Sequence, residues 1–294
     1  MISASSGQEE KLSVRNHDRD LAGLTYVYPV LSRRAGGVSV GINLNPNNAC
    51  NWHCVYCQVP DLVRGKAPVI DLGRLEAELR GFLGDLVHGD WMQRFVPEGA
   101  REIRDIAFSG NGEPTSAAEF PQAVELVLRL RDEFGLAVTG NSGEPVPLRL
   151  ITNGSLMMQS RVQEGVRRLG EAGGEVWFKI DGGTVEAIER INGVRLEPDA
   201  VARNLARCAA LCPTWVQTCM FRWDGDAPTE ADIEAYLDVL DQGRGAGLEG
   251  VLLYGVARPS MQPEAGRIKP LTAEELEAIA AQIRKKGLTV RVSP

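Results

Sequence analysis

Residues 50–58 are Cys50-Asn51-Trp52-His53-Cys54-Val55-Tyr56-Cys57-Gln58, and the rest of the chain is organised around them. Three of the six cysteines of the 294-residue chain fall in this stretch, at C-x3-C-x2-C spacing. One tight loop therefore supplies three thiolates, the form in which cysteine binds a metal. Cysteines this close together predict a metal site rather than three incidental residues.

The number of thiolates distinguishes two kinds of metal site. A [4Fe–4S] cluster has four corner irons, and ligation of all four by cysteine would make a closed electron carrier. Three ligands leave one iron open to a substrate or cofactor. Structural zinc sites usually pair two cysteine or histidine knuckles to complete a tetrahedron. Here His53 is the only nearby fourth ligand and no second knuckle follows, so the spacing favours a cluster over zinc.

The loop and two flanking segments together resemble a known family. The loop has the pattern C-x3-C-x-Tyr-Cys, residues 26–34 are Tyr-Val-Tyr-Pro-Val-Leu-Ser-Arg-Arg, and residues 109–115 are Ser-Gly-Asn-Gly-Glu-Pro-Thr. This combination resembles the radical S-adenosylmethionine (SAM) superfamily. Within it, the chain looks like the branch of Fe–S oxidoreductases related to wyosine-forming tRNA-modifying enzymes. The resemblance runs from about residue 25 to residue 294 and carries little information on the substrate.

The resemblance implies two cofactors and the residues that bind them. It implies one [4Fe–4S] cluster on Cys50, Cys54 and Cys57, with SAM at the open iron. The segment 110–114 would receive the methionine amino group, and the backbone of Tyr56 would meet the adenine. The residues expected to bind cofactor are Tyr56, Ser109, Gly110, Asn111, Gly112, Glu113, Asn153, Gln217 and Arg222. On local sequence alone, a plain glycine-rich turn and a turn-capping asparagine remain open interpretations.

Hydrophobic periodicity predicts strands that alternate with helices. The predicted strands are residues 38–44, 103–108, 148–152, 175–180, 214–221 and 250–256, with a short last strand at 288–292. Amphipathic helical patterns follow them, for example at 72–87, 120–134, 230–240 and 273–285. Such βα units predict a parallel sheet. Six units fit the partial (β/α)6 TIM-like barrel that the resemblance implies, with the cysteine loop after the first strand. Periodicity alone leaves a doubly wound open sheet as an alternative.

Polar residues follow the predicted strands at their carboxyl ends, where both architectures place their chemistry. Strand alternation directs Lys179 and Asp181 toward the lumen, because Val176 and Phe178 form the apolar face that packs against helices. These two could form a structural ion pair, but their position at this edge favours contact with a ligand. The residues expected to be catalytic are Lys179, Asp181, Cys219 and Tyr254.

Composition sets limits on partners and compartment. With 44% hydrophobic and 24% charged residues the chain is an ordinary globular protein. We expect a mobile tail at residues 1–22 and one barrel domain at 23–294. A formal charge of −7 gives no general attraction for nucleic acid. The first residues lack the pattern of a signal peptide, and no apolar run reaches the roughly 18 residues of a membrane span. The sequence therefore predicts a protein of the reducing cytoplasm.

The resemblance implies an enzyme that cleaves SAM reductively to a 5′-deoxyadenosyl radical, which abstracts hydrogen from a small-molecule or peptide substrate. An electron donor such as flavodoxin or ferredoxin would be its partner. Two alternatives stay open: a tRNA-modifying enzyme, and a non-catalytic electron-transfer or sensing protein. The wyosine-forming relatives carry further cysteines upstream, whereas no cysteine precedes Cys50 here. Nucleic acid is therefore disfavoured without being excluded, and the sequence carries no signal for oligomeric state.

The remaining cysteines are not expected to hold a second cluster. Cys208 and Cys212 lie one helical turn apart among small apolar residues, before the predicted fifth strand. Cys219 lies farther along that strand, about 16 Å away at the spacing of strand residues. Ligands of one cluster must lie within a few ångströms of each other. We therefore predict a single cluster, with Cys208 and Cys212 structural.

Overall fold

The structure, a computed structural model, describes residue 12 and residues 23–32, 36–138 and 143–294. Strands and α-helices alternate along these residues. The strands are β1 (Val27–Ser32), β2 (Gly37–Ile42), β3 (Ala49–Cys50), β4 (Val63–Arg64), β5 (Ile103–Phe108), β6 (Leu148–Thr152), β7 (Glu175–Lys179), β8 (Thr214–Cys219), β9 (Phe221–Trp223), β10 (Leu248–Tyr254), β11 (Ile268–Pro270) and β12 (Val290–Ser293). The helices are α1 (Leu72–Val87), α2 (Trp91–Phe95), α3 (Phe120–Glu133), α4 (Ser160–Glu171), α5 (Val185–Asn192), α6 (Pro198–Ala209), α7 (Glu230–Gln242) and α8 (Ala273–Lys285).

One eight-stranded sheet organises the fold, in the order β1-β2-β5-β6-β7-β8-β10-β12. From β2 onward the strands are parallel and follow the order of the chain, while β1 runs antiparallel to β2. A doubly wound sheet would reverse its strand order, so that alternative is wrong. Within the described residues β1 and β12 are the edges of the sheet and do not pair with each other. The predicted α/β fold with a partial TIM-like barrel is confirmed.

Two stretches differ from the predicted strands. Residues 27–32 form the antiparallel edge strand β1, where sequence analysis placed only a family motif. The predicted strand 214–221 is divided, because β8 ends at Cys219 and β9 pairs instead with β11. The apolar pattern continues across Met220, so periodicity could not reveal that the chain changes sheets there.

The outer faces of the strands and one face of each long helix form the core. Val176 and Phe178 of β7 are buried against it, as alternation predicted, while Trp177 and Lys179 face the other side of the sheet. In α1 the buried residues recur at helical spacing, and the Asp71 carboxylate caps the helix by accepting the Arg74 N–H at 2.9 Å. Packing of this kind fixes the strand ends and, with them, the polar side chains that follow.

Part of the predicted N-terminal tail can be compared with the structure. Residues 1–22 lie outside the described residues except for Leu12, which is buried and donates its N–H to the carbonyl of Phe95 at 2.8 Å. The predicted loop 139–147 is described only from residue 143. Among the described residues, no helix combines the length and the apolarity that a membrane span requires.

Candidate active site

A cavity of about 390 Å³ reaches the carboxyl ends of the parallel strands. Twelve of the sixteen predicted site residues line it: Cys50, Cys54, Tyr56, Cys57, Ser109, Gly110, Gly112, Glu113, Asn153, Lys179, Gln217 and Tyr254. Asp181 and Cys219 instead line a neighbouring cavity of about 230 Å³. Asn111 and Arg222 line neither of the two.

The cysteine loop is fixed to the body of the protein on two sides. On one side β3 pairs with β4, and the Arg64 guanidinium donates to the carbonyls of Asn51 at 3.1 Å and Gly193 at 2.5 Å. On the other side the Ser260 hydroxyl donates to the carbonyl of Val55 at 2.7 Å. Contacts within the polypeptide therefore determine the shape of the loop.

The six cysteines form two groups by exposure. The partly exposed ones, which line the larger cavity, are Cys50, Cys54 and Cys57. The buried ones are Cys208, Cys212 and Cys219. Burial raises the pKa of the Cys50 and Cys54 thiols to about 12. A metal that binds these two sulfurs must therefore displace their protons.

Two of the loop sulfurs have hydrogen-bond donors close by. The backbone N–H of Trp52 lies 3.5 Å from the Sγ atom of Cys50. Asn192, the last residue of α5, donates from Nδ2 to the Sγ atom of Cys54 at 3.3 Å. The helix ends there because Gly193 takes a left-handed conformation with φ of 68°. Sequence analysis did not single out Asn192.

The turn after β5 packs tightly because it contains glycine at two positions. Gly110 has φ of 136°, and a Cβ atom there would lie 2.4 Å from the side-chain oxygen of Asn43. At Gly112 a Cβ atom would lie 2.1 Å from the carbonyl oxygen of Ala49, the residue before the first cysteine. Glycine therefore brings this turn into direct contact with the strand that leads into the cysteine loop.

Glu113 is buried and its carboxylate accepts hydrogen bonds from the protein itself. Oε1 accepts from the Thr152 hydroxyl at 2.6 Å and from both the N–H and the hydroxyl of Thr115. Oε2 accepts from the backbone N–H of Asn153 at 2.7 Å. Burial raises the pKa of this carboxyl group, although these hydrogen bonds act in the opposite direction. Glu113 thus joins the turn after β5 to the end of β6.

Asn153 links the end of β6 to the cysteine loop. Its Nδ2 atom donates to the side-chain oxygen of Asn51 at 2.8 Å, and Asn51 in turn donates to the Ser155 hydroxyl at 2.8 Å. The Asn153 side-chain oxygen accepts from the N–H of Ser155 at 3.0 Å. This last contact is the turn-capping interaction that the sequence left open. The side chain still borders the larger cavity.

Lys179 lies between two tyrosines. Its Nζ atom donates to the phenolic oxygen of Tyr254 at 2.7 Å and lies 4.9 Å from the ring centroid of Tyr56. Asp181 accepts the Tyr56 hydroxyl at 2.5 Å and lies 3.6 Å from Lys179. Burial lowers the pKa of Lys179, but the carboxylate of Asp181 and the hydroxyl of Tyr254 together raise it by more than burial lowers it. The net shift of the pKa is therefore upward. The ammonium group therefore stays charged at the edge of the cavity.

Three other predicted residues have distinct surroundings. The Ser109 hydroxyl shares a hydrogen bond of 2.7 Å with the hydroxyl of Tyr28. The Gln217 side chain is 5% exposed and borders the larger cavity, and no group in the described part of the chain hydrogen-bonds its amide. Arg222 pairs with Glu275 of α8, so the structure does not bring its guanidinium to the other predicted residues.

Residues 44–240, more than half of the chain, match the family described as the radical SAM superfamily. The chain belongs to the radical SAM superfamily. Its members bind a [4Fe–4S] cluster and SAM, which confirms the two cofactors predicted for the family. The finer resemblance to the wyosine-forming branch stays a prediction.

Solved structures and one curated protein show further similarity. A radical SAM methyltransferase from Sphaerobacter thermophilus is 13% identical with a TM-score of 0.60, over 91% of this chain and 68% of that chain. Spore photoproduct lyase is 13% identical with a TM-score of 0.47, over 83% of this chain and 73% of that one. GTPase Obg of Brachyspira hyodysenteriae is 24% identical over 135 residues, 46% of this chain and 16% of the relative's length. At these identities the methyltransferase supports the fold alone.

The cysteine loop of this superfamily member fits a cluster better than a single ion. Among the described residues, no three His, Cys, Asp or Glu side chains converge closely enough to hold one metal ion. A tetrahedral zinc ion needs all its ligand atoms at about 2.0–2.3 Å from one centre. In a cluster each thiolate binds its own iron, so the three sulfurs need not meet at one centre. Cys50, Cys54 and Cys57 are partly exposed and line one cavity, which is compatible with this kind of ligation.

A charged group that sequence analysis missed lies at the inner end of the larger cavity. The Arg149 guanidinium pairs with Asp105 and, at 2.6 Å, with Glu175, and it lies 5.0 Å from the ring centroid of Trp177. The Ser39 hydroxyl donates to Asp105. A signal was present, since Arg149 and Glu175 occupy inward positions at the starts of neighbouring strands. Without the register, the pairing of the two strands could not be recognised.

Proposed function

We propose that this chain is an enzyme that binds one [4Fe–4S] cluster and SAM and acts on a small-molecule or peptide substrate. Cys50, Cys54 and Cys57 would hold the cluster. When bound, the cluster supplies the electron that cleaves SAM reductively to methionine and a 5′-deoxyadenosyl radical, which abstracts hydrogen from the substrate. The observation that carries the proposal is that the three partly exposed cysteines border one cavity together with four residues of the turn after β5, which are Ser109, Gly110, Gly112 and Glu113.

The turn after β5 forms the SAM end of this cavity in the proposal. Gly110 and Gly112 let its backbone approach a ligand, so that carbonyl oxygens can accept hydrogen bonds from the methionine ammonium group. Glu113 has its carboxylate oxygens engaged by Thr115, Thr152 and Asn153. We therefore assign Glu113 to holding the turn in shape, which preserves the positions of the carbonyls. The Asn153 side chain would likewise have a supporting role, because it hydrogen-bonds Asn51 of the cysteine loop.

The opposite wall of the cavity would receive the substrate. The Lys179 ammonium is held between Tyr254 and Asp181 and offers a fixed positive charge. Gln217 offers an amide that can both donate and accept. Tyr56 covers the site with an aromatic ring, and its hydroxyl is held by Asp181, so the ring can exclude water without moving. Arg149, with its partners Asp105 and Glu175, would close the inner end of the substrate cavity.

The partners and domain organisation follow from the same proposal. Reductive cleavage of SAM requires a one-electron donor, for which flavodoxin or ferredoxin is suitable. We place residues 23–294 in one domain, because the described strands of that range form one continuous sheet apart from two short pairs. Leu12 packs against this domain, so at least this residue of the expected tail is part of the folded structure.

The decisive experiment uses the whole chain, reconstituted with iron and sulfide without oxygen. We expect about four irons per chain and the visible absorption of an Fe–S protein. With a strong reductant and SAM, the protein should release 5′-deoxyadenosine. A Cys54→Ala variant is the matched control and should do neither. Stoichiometric zinc without iron would overturn the cluster, and a cluster that never cleaves SAM would favour the electron-transfer or sensing alternative.

A further inference from the structure

Asn192 lies between the proposed cluster and the proposed substrate wall. Its Nδ2 atom donates to Cys54 Sγ at 3.3 Å and to an Asp181 carboxylate oxygen at 2.9 Å. The side chain is 1% exposed. Its backbone carbonyl also accepts the N–H of His53 at 2.9 Å, so the residue is tied to the cysteine loop by main chain and side chain alike.

The carboxylate of Asp181 determines which end of the Asn192 amide faces the sulfur. Both Asp181 and a deprotonated Cys54 can only accept hydrogen bonds, so each must receive an N–H. A primary amide has two N–H groups on one nitrogen, and here one is available for each acceptor. The opposite orientation would place the amide oxygen against two negative groups. The N–H···S contact therefore follows from the two acceptors that surround the amide nitrogen.

An N–H···S hydrogen bond has a defined effect on an Fe–S cluster. Reduction adds negative charge, part of which resides on the ligand sulfurs. A donor at such a sulfur stabilises the reduced form more than the oxidised form, and hydrogen bonds to the sulfurs are among the factors that set the potential. A negative group near the sulfur acts in the opposite direction. Asn192 stands between Cys54 and such a group, the carboxylate of Asp181.

We propose that Asn192 is a positioning residue that raises the reduction potential of the cluster through its hydrogen bond to Cys54. Asp181 orients the amide, and Lys179 in turn pairs with Asp181. The electrostatic surroundings of one cluster ligand are thereby linked to the wall of the substrate cavity. This inference rests on the proposed function, in which Cys54 is a cluster ligand.

The test compares Asn192→Ala and Asn192→Asp with Asn204→Ala. Asn204 is the matched control, since its amide donates to the carbonyl of Gly154 at 3.1 Å rather than to a loop cysteine. The readout is the midpoint potential of the reconstituted cluster without SAM, followed by electron paramagnetic resonance. Only the strengthening of the hydrogen bond on reduction counts, and a whole hydrogen bond is worth about 1 kcal/mol, so Asn192→Ala should lower the equilibrium constant for reduction by up to about fivefold. Asn192→Asp should lower it further because it adds a negative charge, and Asn204→Ala should leave it unchanged.

A second measurement needs no variant and reports on the bond itself. Protein labelled with ¹⁵N in its asparagine amides should show hyperfine coupling between the reduced cluster and one ¹⁵N nucleus, together with an exchangeable proton. The ¹⁵N coupling should vanish in Asn192→Ala, whereas the exchangeable proton of the Trp52 N–H next to Cys50 should remain. An unchanged potential in a variant that keeps its full iron content, or the absence of ¹⁵N coupling in the wild type, overturns the inference. Failure of the wild type to bind iron would instead overturn the proposed function.

Discussion

The carboxylate of Glu113 accepts the backbone N–H of Asn153 at 2.7 Å, which joins the turn after β5 to the end of the neighbouring strand β6. The Glu113 carboxylate also accepts from Thr115 and Thr152, and the residue borders the larger cavity. The expected role of Glu113 in binding SAM stays a prediction.

Replacing Glu113 by alanine should weaken SAM binding and leave the cluster in place. The change removes the acceptor of four hydrogen bonds, so the turn and the backbone of Asn153 lose their fixed positions. The measurement is anaerobic equilibrium binding of SAM, with iron content determined on the same sample. Glu98→Ala, at an exposed position, is the control. Normal SAM affinity in Glu113→Ala would show that the turn does not bind SAM.

The pH dependence of stability should differ between the metal-free wild type and Glu113→Gln. Burial raises the pKa of Glu113 above the ordinary value of 4.5, so the folded chain holds this proton more tightly than the unfolded chain. Protonated Glu113 therefore makes its whole contribution to the free energy of unfolding below about pH 4.5. This contribution is lost as the pH rises through the pKa of Glu113 in the folded chain. The free energy of unfolding of Glu113→Gln minus that of wild type should therefore increase as pH rises from about 4.5 toward neutral pH. Urea titrations at several pH values measure this difference, and a constant difference would contradict the prediction.

A methyl group at Gly112 should disturb the cysteine loop. The added carbon would lie 2.1 Å from the carbonyl oxygen of Ala49, a distance that forces the backbone apart. Gly112→Ala should therefore bind less iron than wild type on reconstitution. Gly81→Ala is the control, since nothing lies within 4 Å of the new carbon in the middle of α1, and it should stabilise the helix by about 1 kcal/mol. Full iron content in Gly112→Ala would show that the loop tolerates the displacement.

Removing the Arg149 side chain should destabilise the folded chain strongly. Arg149→Met leaves the buried Asp105 and the partly buried Glu175 without their partner, and such a loss costs about 3–5 kcal/mol. Urea unfolding of the metal-free protein measures the change. Adding Asp105→Asn and Glu175→Gln should recover much of it, because no uncompensated charge remains. Arg167→Met, which breaks an exposed pair with Glu171, should have little effect on stability.

Replacing the three buried cysteines together by alanine should leave iron near four per chain. Cys208 accepts from the hydroxyl of Thr214, the first residue of β8, and Cys212 donates to the carbonyl of Gly174. Cys219 is the last residue of β8. Thiols at opposite ends of a strand cannot share one cluster. Iron analysis after reconstitution tests this. A fall from about eight to four irons would show that a second cluster had been present.

The order of the strands, and which face of each strand is buried, could be predicted from the sequence. Alternation placed Lys179 toward the cavity and Phe178 toward the helices, because a strand buried on one side by helices must separate its two faces. Cysteine spacing identified the metal loop, since three ligands that are close in sequence are also close in space. These features depend on local pattern, which a single sequence contains.

Contacts between segments that are distant in the sequence could not be predicted. The approach of Asn192 to Cys54 joins residues 138 positions apart, and it depends on where α5 ends relative to the cysteine loop. The pairing of Arg222 with Glu275 likewise depends on the course of β9, which leaves the main sheet. Asn192 lies next to Gly193, a helix-ending signal, but nothing in the sequence indicates which residue such a helix end will face.

The tethering of residues 50–58 by Arg64 and Ser260 has a consequence for the maturation of the protein in the cell. Small domains that take shape only around their metal are unfolded without it. Here an arginine and a serine outside the loop hold its carbonyls, so the loop can acquire its shape as the chain folds. We therefore expect the polypeptide to fold before the metal is loaded, so that the metal-free chain keeps its fold.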